Sequence, residues 1–293
     1  MPDGRDVRSG IGDEAAVSLA DQIAVHEEPG WRSMELRTVD RRPLGELAAA
    51  ELDAVVGTLL DAGFEVPVLD SAIGNWARPV TAPFEDDVAE LRTLAGVTRR
   101  LGTPFVRIMS YPRGDADDET WRRVAIERVA ALARIAEDEG VTLAHENCVG
   151  WGGLSAERTL ALLEAVDSPA LRVLFDVGNA VVDGYDGYEY LGRVLPAVVA
   201  IHVKDAALGP GGEARFTMPG EGDARLADCL TLAFASGYRG HVAIEPHVAH
   251  VIHLGADAPP EVLRSSYVAY ARRFEELLED ALEQATWLSV RGC

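Results

Sequence analysis

No stretch of the 293-residue chain comes near the ~18 uninterrupted apolar residues of a membrane-spanning helix, so a membrane protein is not expected. Its first residues, Met-Pro-Asp-Gly-Arg-Asp-Val-Arg-Ser-Gly, lack the apolar centre of a secretory signal, and cytoplasmic residence is the expectation. Cysteine is scarce: Cys148, Cys229 and Cys293 show no Cys-x-x-Cys spacing for zinc or redox work and read as reduced, structural residues. Positive charge is short as well. With 27 Lys and Arg against 48 Asp and Glu, the net charge is −21, and such a field repels phosphate polymers, so nucleic acid is not an expected partner. A glycine-rich phosphate turn is also missing, since Gly10-Ile-Gly12-Asp-Glu lacks a third glycine and an obvious helix start. That disfavours an open doubly wound sheet.

What is present is a sequence 48% hydrophobic and 26% charged, ordinary for a globular chain with a full core. Apolar runs of strand length alternate with helical patterns throughout, the signature of parallel βαβ units in an α/β protein. Strands are predicted at 7–11, 33–36, 64–69, 105–109, 141–145, 171–175, 198–203 and 241–244. Helices are predicted at 18–26, 44–61, 84–101, 119–139, 155–166, 188–195, 225–236 and 260–283. Eight of each, with no linker separating halves, predict a single (β/α)8 TIM barrel over residues 1–293 with a C-terminal helix extension.

Four predicted strands finish on side chains able to hold a metal: Val141-Thr-Leu-Ala-His-Glu146, Leu171-Arg-Val-Leu-Phe-Asp176, Val198-Val-Ala-Ile-His202 and Val242-Ala-Ile-Glu245. The four groups are 30, 26 and 43 residues apart. One barrel repeat takes roughly 30 residues, so the spacing predicts four adjacent strands presenting Glu146, Asp176, His202 and Glu245 at one carboxyl rim. The longer last step absorbs the Gly/Pro-rich insertion 208–223. Three carboxylates and one imidazole suit a divalent cation that prefers oxygen, Mn²⁺ first, with Mg²⁺, Co²⁺ or Zn²⁺ as alternatives. Alone, a strand-end Asp is more often a cap, and a histidine inside Ala-Ile-His202-Val more often a core residue; four at equivalent ends change that balance.

Other candidates flank this set. Lys204 shares a face with His202 by strand alternation and is expected either to bind a substrate oxygen or to pair with Asp205 or Glu221. His247 follows Glu245-Pro246 and is a second candidate substrate contact. His145 alternates away from Glu146 and reads as a packing residue or a support for the site. Trp76, Arg78, Trp151 and Arg215 fall in predicted rim loops, where aromatic walls and oxygen clamps are expected. His250 and His253 read as surface residues.

The segments His145-Glu146-Asn147, Phe175-Asp176-Val-Gly-Asn179, Ile201-His202-Val-Lys204-Asp205, Pro219-Gly-Glu-Gly222 and Ile244-Glu245-Pro-His247 resemble the xylose-isomerase-like TIM barrels. That superfamily includes ketose 3-epimerases, hydroxypyruvate isomerase, inosose dehydratase and apurinic endonucleases, and the resemblance runs from about Ile11 to Ala281. It implies a metal held by Glu146, Asp176, His202 and Glu245, with Glu146 and Glu245 also moving protons through an enediolate. The implied activity is isomerisation or epimerisation of a sugar, keto-sugar or cyclitol, with a lyase of the same superfamily as the alternative. Where many epimerases of the family have Asp-x-x-His, this chain has Asp176-x-x-Asn179. Asparagine hydrogen-bonds a hydroxyl but takes no proton at neutral pH, which weakens a specific epimerase assignment. The endonuclease branch is disfavoured by its histidine-rich trinuclear zinc site and by the charge of −21. The expected partner is a small sugar or polyol; a homodimer or a small partner subunit is left open.

Overall fold

The computed structural model describes residues 7–249 and 258–291; His250, His253 and Cys293 lie outside them. In chain order the elements are β1 (Arg8–Gly10), α1 (Gly12–Ala15), α2 (Leu19–Glu27), β2 (Thr38–Val39), β3 (Arg42–Pro43), α3 (Ala49–Ala62), β4 (Val68–Asp70) and α4 (Phe84–Leu101). There follow β5 (Phe105–Ser110), α5 (Asp118–Glu139), β6 (Thr142–Gly150), α6 (Ala156–Val166), β7 (Leu171–Asp176), α7 (Asn179–Asp183) and α8 (Gly187–Val194). The chain closes with β8 (Val198–Val203), β9 (Asp205–Leu208), β10 (Ala214–Thr217), α9 (Leu226–Ala235), β11 (His241–Ile244) and α10 (Pro260–Arg291). None of the helices is long and apolar enough to cross a membrane among the described residues.

Local chemistry accounts for the helix limits. Asp117 caps α5 by accepting the Thr120 N–H, and Gly140 ends it at φ 70°, a left-handed conformation that costs glycine nothing. Ser18 and Ser155 cap α2 and α6 in the same way. In α4, Glu85, Asp86 and Asp87 occupy the first turn and Arg99 and Arg100 the last, each sign at the end of the helix dipole that favours it.

The contacts divide the chain into two compact units, residues 32–174 and residues 1–31 with 175–293, and the division falls inside β7. In the first, β4, β5, β6 and β7 pair in parallel, with Leu69 opposite Val106, Val106 opposite Leu143 and Glu146 opposite Leu174. The predicted strand at 33–36 is realised as two isolated parallel bridges, Ser33 to Glu65 and Leu36 to Leu69. In the second unit, β1 pairs with β11 and β11 with β8, again in parallel. These strands are buried on both faces, which is why they read as continuous apolar runs rather than alternating ones.

The core of the second unit is completed by α10, whose Tyr267, Tyr270 and Phe274 are fully buried. Each such side chain contributes on the order of 2–3 kcal/mol through the area it removes from water. Phe274 meets Trp31 edge-on at 6.1 Å, and the Tyr267 hydroxyl lies 2.8 Å from His26 Nε2.

Candidate metal centre

β7 ends on Asp176, and the chain turns at once into α7. The Asn179 N–H donates to Asp176 Oδ1 at 2.9 Å, which holds the carboxylate from its own loop, and the Val177 N–H donates to the His202 carbonyl at 3.1 Å, which ties the adjoining backbone to β8. His202 is the penultimate residue of β8. Glu245 directly follows β11, its N–H donating to the Val203 carbonyl at 3.0 Å. Asp176 and His202 are fully buried and Glu245 is 3% exposed. Their ligand atoms lie within 4.8 Å of one another, with His202 Nδ1 3.7 Å from Glu245 Oε2.

Lys204, just past β8, is the only lysine in the sequence. Its buried ammonium stands 2.8 Å from Asp176 Oδ2 and 2.8 Å from Glu245 Oε2. It therefore pairs with these two carboxylates and not with its neighbour Asp205. Asp205 is already engaged, accepting the backbone N–H groups of Gly220 at 2.8 Å, Ala206 at 2.9 Å, Gly222 at 3.1 Å and Ala224 at 3.3 Å. Burial raises the Asp205 carboxyl above its ordinary value, and those four donors work against that rise. The Pro219-Gly-Glu-Gly222 segment is thus wrapped around one buried carboxylate. Gly222 must be glycine there, since a Cβ would meet Asp205 Oδ1 at 2.2 Å and the Ala206 carbonyl oxygen at 2.5 Å.

In the unit 32–174, Glu146 lies within β6, 2% exposed. Arg107 of β5 places Nη1 3.3 Å from Glu146 Oε2 and Nε 3.3 Å from Asp70 Oδ1, at the end of β4. Glu35 is fully buried as well. The sequence reading passed over Arg107 and Asp70, although both left a signal: Asp70 ends an apolar run as Asp176 does, and Arg107 interrupts Phe-Val-Arg-Ile-Met. His145 is fully buried with neither ring nitrogen hydrogen-bonded, and burial pushes its imidazole down to about 4.

The flanking candidates separate in kind. Asn179 is buried at the start of α7 and His247 just beyond Glu245. Trp151 is buried near the Arg122 and Arg158 guanidinium groups, 5.7 and 5.9 Å from its ring. Arg78 is held to α4 through Asp87 and Glu90, which leaves Trp76 on the same loop 38% exposed. Arg215 is exposed on the β9–β10 hairpin. Burial pushes the Cys229 thiol up to about 12, in keeping with a structural residue.

Asp176, His202 and Glu245 form a donor set able to hold a divalent cation. Two carboxylates and an imidazole match the preferences of Mn²⁺, Mg²⁺, Co²⁺ and Zn²⁺.

A family model described as "Xylose isomerase-like TIM barrel" matches residues 23–283. Among curated proteins, the inosose dehydratase of Bacillus thuringiensis (strain Al Hakam) is 24% identical over 142 residues, 44% of this chain and 47% of that protein. The chain spans about half the length of the curated relatives it matches. Among solved structures, the IOLI protein with a bound zinc atom aligns at a TM-score of 0.74 and 16% identity, over 96% of this chain and 99% of that one. An L-ribulose 3-epimerase aligns at 0.69 and 15% identity, over 95% of each chain. At those identities the likeness to the solved structures is one of fold.

Proposed function

The chain belongs to the xylose isomerase-like TIM barrel family, and from that membership we propose that it is a divalent-metal-dependent isomerase or epimerase of a sugar, keto-sugar or cyclitol. The observation that carries the proposal is the buried group Asp176, His202 and Glu245, whose ligand atoms converge within 4.8 Å. Glu146 is proposed as the fourth ligand, on the strength of its sequence spacing and of the family resemblance. The cation is proposed to be Mn²⁺, with Mg²⁺, Co²⁺ and Zn²⁺ compatible with the same donors. When bound, it supplies Lewis acidity that makes the C–H beside a substrate carbonyl easier to deprotonate.

The remaining chemistry belongs to the chain. Glu245 accepts the proton from the carbon next to the carbonyl, and the electron pair of that C–H bond enters the C=C bond of an enediolate. Glu146 returns a proton taken up from solvent, and Glu245 afterwards gives its own to solvent. Return to the same carbon from the other face gives the epimer; return to the neighbouring carbon gives the aldose/ketose isomer. Lys204 donates hydrogen bonds to a substrate oxygen, and Asn179 and His247 are proposed as further substrate contacts.

A second reading is favoured by the curated relatives named inosose dehydratase. In it the same proton is removed, but a C–O bond beta to the carbonyl breaks, and hydroxide leaves with a proton as water. One experiment tests both: the Mn²⁺-loaded protein is incubated in D₂O with a panel of ketoses and an inosose. Deuterium beside the carbonyl in a product of unchanged composition supports the isomerase; a product lighter by one water supports the lyase. Metal-loaded protein that neither exchanges deuterium nor releases water with any member refutes both.

A further inference from the structure

Arg107 carries a charge into the interior of the unit 32–174, where it is 2% exposed. On β5 it lies opposite Asp70 of β4 and Ala144 of β6, and side chains paired in register leave a sheet on one face. Glu146 stands two positions beyond Ala144 on the same strand and so shares that face. The single methyl group of Ala144 leaves the way open between them. The guanidinium spans the gap, with Nε 3.3 Å from Asp70 Oδ1 and Nη1 3.3 Å from Glu146 Oε2. A third anchor comes from the residue just past β4, since Arg107 Nη2 donates to the Ser71 carbonyl at 3.4 Å. Ser71 in turn donates its hydroxyl to the Arg107 carbonyl at 2.5 Å, and the same oxygen accepts the Ile73 N–H at 3.2 Å. Backbone and guanidinium of Arg107 are thus both tied to the end of β4.

We propose that Arg107 is a positioning residue for Glu146, holding its carboxylate in one orientation from a frame set by β4. A guanidinium is planar, with its N–H groups in a fixed fork, whereas an ammonium is a point charge on a flexible stem. With the plane anchored at Asp70 and Ser71, Nη1 points in one direction, and a carboxylate drawn to it by Oε2 presents its other oxygen in a defined direction. The two glutamates assigned to proton transfer then differ in kind: Glu245 stands beside the rotatable ammonium of Lys204, Glu146 beside a rigid plane. Misplacing a reacting group by ~1 Å costs ~100-fold in rate, so losing the fork is felt in catalysis even where the charge remains. That catalytic consequence rests on the function proposed above, whereas the hold on Glu146 does not.

The test uses the full chain with Arg107→Lys, which keeps the charge and loses the fork, with Glu146→Gln, and with the two combined. In urea denaturation of the metal-free protein, Arg107→Lys lowers the folding equilibrium constant of the wild type by a factor at least ~5 times larger than it does once Glu146 is replaced. Effects that multiply to within ~2-fold overturn the hold on Glu146. Arg107→Gln serves the same cycle, with the same expected sign, where the lysine variant does not fold. With the Mn²⁺-loaded protein in D₂O and D-fructose, L-ribulose and scyllo-inosose as probes, Arg107→Lys lowers kcat by ~10-fold or more and leaves KM within ~3-fold. In the Glu146→Gln background the same substitution lowers kcat no further. A kcat unchanged by Arg107→Lys, or lowered equally in both backgrounds, overturns the positioning role. A wild type that acts on none of the three probes defeats the proposed function instead, and the urea cycle still decides whether Arg107 secures Glu146.

Discussion

Replacing Lys204 by methionine removes the one ammonium that stands between two buried carboxylates while keeping most of the side-chain volume. In the metal-free protein, Asp176 and Glu245 each lose a partner 2.8 Å away. Removing one member of a buried ion pair costs about 3–5 kcal/mol, because the remaining charge is left uncompensated. For a chain of this size that corresponds to a fall in Tm of roughly 10 °C. A divalent cation on the same two carboxylates replaces the missing charge, so saturating Mn²⁺ should restore most of the loss. The wild-type ammonium competes for these oxygens, so Lys204→Met should also bind Mn²⁺ at least ~10-fold more tightly, a difference of about 1.4 kcal/mol. Thermal unfolding in EDTA and in Mn²⁺, with calorimetric titration of the metal, measures both effects. A variant that melts in EDTA with the wild type, or whose Mn²⁺ affinity is unchanged or weaker, refutes the assignment of Lys204 as the resident counter-charge of Asp176 and Glu245, the proposed metal ligands.

Gly222→Ala places a methyl group 2.2 Å from Asp205 Oδ1 and should cost about 1–3 kcal/mol in chemical denaturation; a stability equal to wild type would sink the clamp around Asp205. Acid should destabilise the fold through its buried histidines, His26 and His145, whose imidazoles burial lowers from 6.5 to about 4. The unfolded chain takes up these protons below pH 6.5 and the folded one does not until about pH 4. Their stability is therefore fully present above pH 6.5 and lost between 6.5 and 4, roughly 3 kcal/mol for each. Denaturation midpoints measured across that range should decline, and His145→Gln should flatten the decline; a flat profile in the wild type would contradict this. Glu146→Gln and Glu245→Gln should each lower deuterium exchange by ~100-fold or more, whereas wild-type exchange in either variant would remove that residue from the proton transfer.

Much of the architecture was legible because it depends on local periodicity. The helix at 84–101 and the strands at 198–203 and 241–244 fall where the apolar pattern, the charge gradient and the flanking turns put them. The strand expected at 33–36 is reduced to two bridges, since Ser33-Met-Glu-Leu36 offers little apolar length. The β9–β10 hairpin was read as an insertion, because Ala206, Ala207 and Ala214 carry no strong strand preference. It forms by pairing Asp205 with Thr217 and Ala206 with Phe216. Asp176, His202 and Glu245 could be named from spacing alone, because parallel strands in repeated βαβ units end on one side of their sheet.

The sequence by itself determined which chemical groups stand at the strand ends, two carboxylates and an imidazole of the kind that can hold a divalent cation. Only the tertiary structure decided how those groups are partnered. Lys204 is adjacent to Asp205 in the chain, yet it pairs with Asp176 and Glu245, because four backbone N–H groups already occupy the Asp205 oxygens. Glu14 and His247 meet across 233 residues with no pattern to announce them. Strand alternation sets the direction in which a side chain leaves the backbone. Its hydrogen-bond partner depends on which buried donors and acceptors remain unsatisfied once every segment has packed, and that is a property of the whole fold.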